Sequence, residues 1–137
     1  MSHAGDVSPQ QAWDALSGDP DAVLVDVRTH AERTYVGVPD LSGLGRHPVS
    51  VEWLGYPDGA LNPDFLDQLV AAGVDAGTPT YFLCRSGARS AAAASAATEA
   101  GWTAAHNVAE GFEGDLGASG HRDVNGWQVA GLPWVQG

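Results

Sequence analysis

One residue among the 137 carries a thiol, and its neighbours are unusual company for it. In 81-YFLCRSGARSAAAA-94, Cys84 ends an apolar run. Arg85, Ser86, Gly87, Ala88, Arg89 and Ser90 follow in direct succession, and alanines come next. A strand that stops, a short loop and a helix that starts bring backbone N–H groups toward one point. The first helical turn adds donors that have no partner within the helix. Gly87 permits backbone angles that a side chain would obstruct. Ser86 and Ser90 add hydroxyl donors, and Arg85 and Arg89 add positive charge. A cysteine at the centre of such a cradle is held as a thiolate, which is a nucleophile suited to anionic substrates. The plainer alternative is a lone cysteine that merely packs at the end of a buried strand. Arginine, serine and glycine are poor core residues and good anion ligands, so the loop favours chemistry.

Composition narrows the partners. The net charge is −11, and all six basic residues are arginine. Without lysine there is no catalytic amine and no Schiff base. A surface this acidic repels nucleic acid and anionic membrane, so neither is expected as a partner. No apolar run approaches the ~18 residues needed to cross a bilayer. The N-terminal MSHAGDVSPQQAW has neither a basic start nor an apolar stretch, so a secretory signal is not expected and the cytoplasm is the default address. One cysteine forms no internal disulfide, in keeping with a reducing compartment. His3, His30, His47, His106 and His121 are scattered without ligand spacing, which gives metal binding little support. A cysteine–histidine pair would need His30 or His47 folded against Cys84.

The elements that must position the thiol are legible in outline. Ser8, Pro9 and Gln11 form a helix start, with Ala12, Trp13 and Leu16 as its apolar face and Gly18 as its end. AVLVDV (22–27) and TYFLC (80–84) are short apolar runs suited to strands buried on both faces. HPVSVEW (47–53) and the weaker AAHNV (104–108) are further strand candidates. Residues 29–35 suit a short helix and 36–45 a loop. Asn62 and Pro63 open a helix through Phe65, Leu66, Leu69 and Val70, closed by Gly73. An alanine-rich helix over 88–100 follows the cysteine loop, with Gly101 after it. The alternation predicts an α/β fold with a mostly parallel central sheet and helices on both faces. In such sheets ligands bind off the carboxyl ends of the strands, which is where Asp26 and Cys84 both fall.

CRSGARS, between a strand and an alanine-rich helix, resembles the active-site loop of the rhodanese (thiosulfate:cyanide sulfurtransferase) family. LVDVRTHAE (24–32), NVAEGFEG (107–114) and the closing GLPW resemble further segments of that family in the same order. The resemblance implies one rhodanese-like three-layer domain over 1–137, with its core from about 8 to 134 and a loop-rich tail from about 115. It also implies a persulfide on Cys84. The thiolate takes the sulfane sulfur of a small anionic donor such as thiosulfate, and a thiol, cyanide or a sulfur-acceptor protein then removes it. No cofactor is implied. Four residues separate Cys84 from Arg89, whereas related cysteine phosphatases have five. The shorter ring suits sulfur better than phosphate.

Two departures from the family pattern bear on the substrate. YVGVPDLSGLGRHPVSVEW keeps only fragments of a common entrance segment. Glu110-Gly111 stands where paired glycines are usual and could place a carboxylate near the pocket. Other site candidates are Asp26, lining the crevice, and Arg28, either ordering it or pairing structurally with Glu32. Trp53 is a candidate pocket wall and Trp127 a weaker lid candidate, although all five tryptophans suit the core better. Alternatives to a sulfurtransferase are a sulfur carrier or sensing module on the same fold, and a cysteine phosphatase or arsenate reductase.

Overall fold

The computed structural model describes residues 5–54, 61–85, 87–114 and 125–135. Five strands form a sheet in the spatial order β1 (Gly5–Val7), β6 (Ala105–Val108), β5 (Thr80–Leu83), β2 (Val23–Asp26), β4 (Val49–Ser50), and every pairing in it is parallel. Helices α1 (Pro9–Gly18), α2 (His30–Val36), α3 (Phe65–Ala71) and α4 (Ala88–Glu99) connect the strands. A two-stranded antiparallel ribbon pairs β3 (Val38–Pro39) with β7 (Trp134–Val135).

Strand alternation divides the core in two. Val25, Phe82 and Cys84 face one side, with Phe65 and Leu69 of α3 and Ala93, Ala94 and Ala97 of α4. Leu24, Leu83 and Val108 face the other, with Ala12 and Leu16 of α1 and with Phe112, Trp127 and Leu132 from the C-terminal region. The α4 alanines bring that helix close to the sheet because they present almost no side chain. The expected parallel sheet covered by helices on both faces is therefore the observed one.

Local signals set the helix starts. Ser8 accepts the Gln11 amide and Gln11 returns a bond to the Ser8 amide, closing a capping box at α1. Thr29 and Glu32 do the same at α2. The helix expected from Asn62 begins at Phe65 instead, because Asn62 Oδ1 accepts the Asp64 amide in a turn. HPVSVEW supplies only Val49–Ser50 as strand. The segment read as loop, 36–45, contains β3 and a 3₁₀ turn, Ser42–Leu44. Strand β1 was not anticipated. Its three residues pair with β6 at the sheet edge, too short and too polar to show a strand pattern.

Candidate active site

Cys84 follows β5 directly, and α4 begins four residues later. Its side chain lies on the α3/α4 side of the sheet, at the mouth of the strand–helix junction. Among the described residues two donors reach its sulfur: the Gly87 amide at 3.1 Å from Sγ and the Ser90 hydroxyl at 3.3 Å. The cysteine is 1% exposed. It is buried, yet its sulfur faces polar donors and not only apolar neighbours. The ring of several amides expected around it reduces, among the described residues, to that of Gly87. Ala88 is exposed at the first helical position, and Ser86 lies outside the described residues.

Two glycines are dictated by close backbone approach. Gly87 has φ +108°, and a Cβ there would stand 2.0 Å from Ala109 O. Gly111 has φ +70°, and a Cβ there would stand 2.5 Å from Arg85 O and 2.7 Å from Cys84 O. The segment after β6 is strapped across the back of the cysteine loop. Phe112 donates to Cys84 O at 2.8 Å, and Glu113 and Gly114 donate to Arg85 O at 3.0 and 3.1 Å. These bonds use the loop carbonyls, turning their oxygens away from the sulfur. Glu110 does not place its charge beside the sulfur as the sequence suggested. Its Oε1 accepts the Gly126 amide at 3.0 Å and ties down the C-terminal segment.

The two loop arginines differ. Arg89 holds the Glu32 carboxylate through both terminal nitrogens, at 2.6 and 2.8 Å. Burial tends to raise the Glu32 pKa, but the Arg89 hydrogen bond and charge, with help from Thr29, outweigh it and bring it from 4.5 to about 2. The Arg89 pKa is raised by the Glu32 bond against the effect of burial, with the Glu32, Cys84 and Asp26 charges adding to the rise. Arg89 therefore carries a charge that a fixed carboxylate largely offsets. Arg85 is exposed and has no side-chain partner among the described residues. Among the described residues, the uncompensated positive charge of the loop is on Arg85.

Asp26 and Arg28 form a separate unit. Asp26 Oδ1 accepts Arg28 Nε at 2.9 Å and Oδ2 accepts Nη2 at 2.7 Å, both residues being fully buried. Arg28 also donates to Gly37 O at 2.8 Å and lies 4.4 Å above the Phe112 ring. The proposed Arg28–Glu32 pair is thus replaced by two others, Arg28–Asp26 and Arg89–Glu32. Asp26 ends β2 beside Leu83, one residue out of phase with Cys84, so alternation sends it with Leu24 to the opposite face. It braces the site from behind and does not line the sulfur's side.

Trp53 stacks edge-on against Phe65 at 5.1 Å and walls a cavity with Leu66 and Ala96, with no hydrogen bond to the described residues of the cysteine loop. Trp127 is fully buried, its indole donating to Pro133 O, so it is core and not a lid. Trp134, expected in the core, is 40% exposed at the ribbon. His30 opens onto a cavity of about 790 Å³ beside edge strand β4, with Arg33, Ser50 and Glu52, and none of the described residues of the cysteine loop lines it. His106 stacks on Tyr81, and His3 and His121 lie outside the described residues. Sequence reasoning missed two contributors: Glu32 as the partner of Arg89, and Asn107, whose Oδ1 lies 2.5 Å from Ser90 Oγ. Both sit inside segments that carry the family resemblance, which was the available signal.

Comparison with known proteins agrees with this geometry. The family described as the STR4 middle domain matches residues 4–137. The crystal structure of Rv0390 from M. tuberculosis is 55% identical and superposes with a TM-score of 0.90, covering 99% of this chain and 100% of that one. The polysulfide-sulfur transferase homodimer of Wolinella succinogenes is 25% identical with a TM-score of 0.63, covering 96% and 78%. An uncharacterised protein of Rickettsia conorii is 35% identical over 90% of this chain and 91% of its own. Rhodanese-like domain-containing protein 4, chloroplastic, of Arabidopsis thaliana is 29% identical over 94% of this chain, which spans a quarter of that protein. With its cysteine loop between strand and helix and these relatives along its length, the chain belongs to the rhodanese-like family, in the STR4 middle-domain group.

Proposed function

We propose that this protein is a sulfurtransferase that carries a sulfane sulfur as a persulfide on Cys84. The observation that carries the reading is the pair of donor groups, Gly87 N–H and Ser90 O–H, within reach of Sγ where β5 gives way to α4. They stabilise negative charge on the sulfur, which is what both the attack and the departure of a thiolate require. With Cys84 1% exposed, a donor reaches it end-on through its outer sulfur, an approach that suits thiosulfate or a persulfide better than a tetrahedral phosphate. Arg85 attracts the anion. The Cys84 thiolate attacks the sulfane sulfur, the donor's S–S bond breaks, and sulfite or a thiolate leaves with the bonding pair. A thiol or cyanide then takes the outer sulfur and regenerates the thiolate. Two such half-reactions give ping-pong kinetics.

Intact-mass spectrometry after exposure to thiosulfate, polysulfide or an organic persulfide tests this. The wild-type protein gains one sulfur and releases it to cyanide or a thiol, and Cys84→Ser gains none. A wild-type protein that acquires no sulfur from any of these donors overturns the reading.

A further inference from the structure

Behind the cysteine lies a hydrogen-bond chain of which the sulfur-transfer reading uses only the Ser90 hydroxyl. Among the described residues Ser90 Oγ has three acceptors in reach: Asn107 Oδ1 at 2.5 Å, Gly87 O at 3.2 Å and Cys84 Sγ at 3.3 Å. A serine hydroxyl has one proton, so it serves one of them well at a time. Ser90 is fully buried and Asn107 is 4% exposed, so bulk water is a poor substitute at either. Asn107 Nδ2 donates to Asp6 Oδ1 at 3.1 Å. A carboxylate only accepts, so it fixes the NH₂ end of the amide toward β1 and its oxygen toward Ser90. The short edge strand thereby sets the orientation of a group next to the thiol.

We propose that Asn107 is a positioning residue that holds the Ser90 proton while the Cys84 sulfur is uncharged and yields it to the thiolate formed when sulfur is handed on. The proposal rests on the sulfurtransferase reading for its place in catalysis. In the thiol and persulfide states Sγ is a weak acceptor, and the Ser90 O–H stays donated to Asn107 Oδ1. When an acceptor thiolate attacks the outer sulfur, a new S–S bond forms and the Sγ–S bond breaks. The bonding pair goes to Sγ. The Ser90 O–H then turns from Asn107 to Sγ, and no proton enters or leaves. Loading the next sulfur reverses the turn. Asn107 therefore competes with the thiolate for one proton, favouring the uncharged and loaded states, whereas Ser90 favours the thiolate.

Opposite signs separate this from a structural tie between α4 and β6. Among the described residues the charged groups around the sulfur are Asp26 at the end of β2, Arg28 two residues beyond it, Glu32 of α2, Arg89 of α4 and the exposed Arg85. All are kept in the variants. Asn107→Leu keeps the branched side-chain skeleton and removes the acceptor. In an iodoacetamide alkylation profile against pH its midpoint moves down by about half a unit or more, while that of Ser90→Ala moves up by a similar amount. In the Ser90→Ala background, Asn107→Leu has no effect on the midpoint, because it acts through that hydroxyl. Discharge of the loaded protein slows about tenfold in Ser90→Ala and does not slow in Asn107→Leu. If Asn107→Leu moves the midpoint upward, or shifts it equally without Ser90, the proposal is overturned. Should that variant fail to fold, NMR on the wild-type protein decides. The Asn107 side-chain amide resonances shift between the thiol and thiolate forms and stay fixed in Ser90→Ala; unmoved wild-type resonances overturn the switch. The alkylation arm uses no sulfur donor, so it stands apart from any failure to load.

Discussion

The Glu32–Arg89 pair allows a prediction whose size follows from the structure. A carboxylate whose folded pKa is depressed adds stability that is fully present above its unfolded value, near 4.5, and is lost as the pH falls toward the folded value of about 2. The full shift corresponds to ~3.4 kcal/mol at about 1.36 kcal/mol per unit. Both side chains are about a fifth exposed, and solvent screening removes roughly half, leaving about 2 kcal/mol at neutral pH. Some three-fifths of that, ~1 kcal/mol, is gone by pH 3. Glu32→Gln removes this titration. In urea unfolding at pH 6.5 and pH 3, the wild-type protein loses about 1 kcal/mol more between the two conditions than the variant does. The other carboxylates titrate in both proteins and cancel in the comparison. The variant also leaves the Arg89 charge uncompensated near Cys84, so alkylation of the thiol at neutral pH is faster than in wild type. Equal losses of stability in the two proteins would refute the reasoning.

Gly87→Ala sets a Cβ against the Ala109 carbonyl at a positive φ, a backbone cost of about 1–2 kcal/mol before the clash is counted. It lowers the melting temperature, and because the Gly87 amide is displaced from Sγ it cuts sulfur loading by about tenfold in intact-mass assays. Arg46→Ala is the contrasting case. Its guanidinium donates to the Leu16 and Asp19 carbonyls at the end of α1 and to the Ala22 carbonyl just before β2. Its loss costs ~1–3 kcal/mol in urea unfolding and leaves the alkylation rate of Cys84 unchanged.

Much of this protein is written in stretches short enough to read in order. The capping residues Ser8 and Thr29, the apolar runs of β2 and β5, and the spacing from Cys84 to Arg89 act over a few residues, so chain chemistry alone expresses them. They suffice for a parallel α/β sheet with a thiol at the head of a helix. The partners of that thiol are another matter. Glu32 meets Arg89 across 57 residues, Asn107 meets Ser90 across 17, and Asp6 meets Asn107 across 101. Those meetings exist because β6 lies between β1 and β5, and β2 lies beside β5. Strand order is set by the packing of whole segments, to which no local window is sensitive. Which arginine is paired with a carboxylate, and which amide oxygen meets the serine hydroxyl, follow from that order.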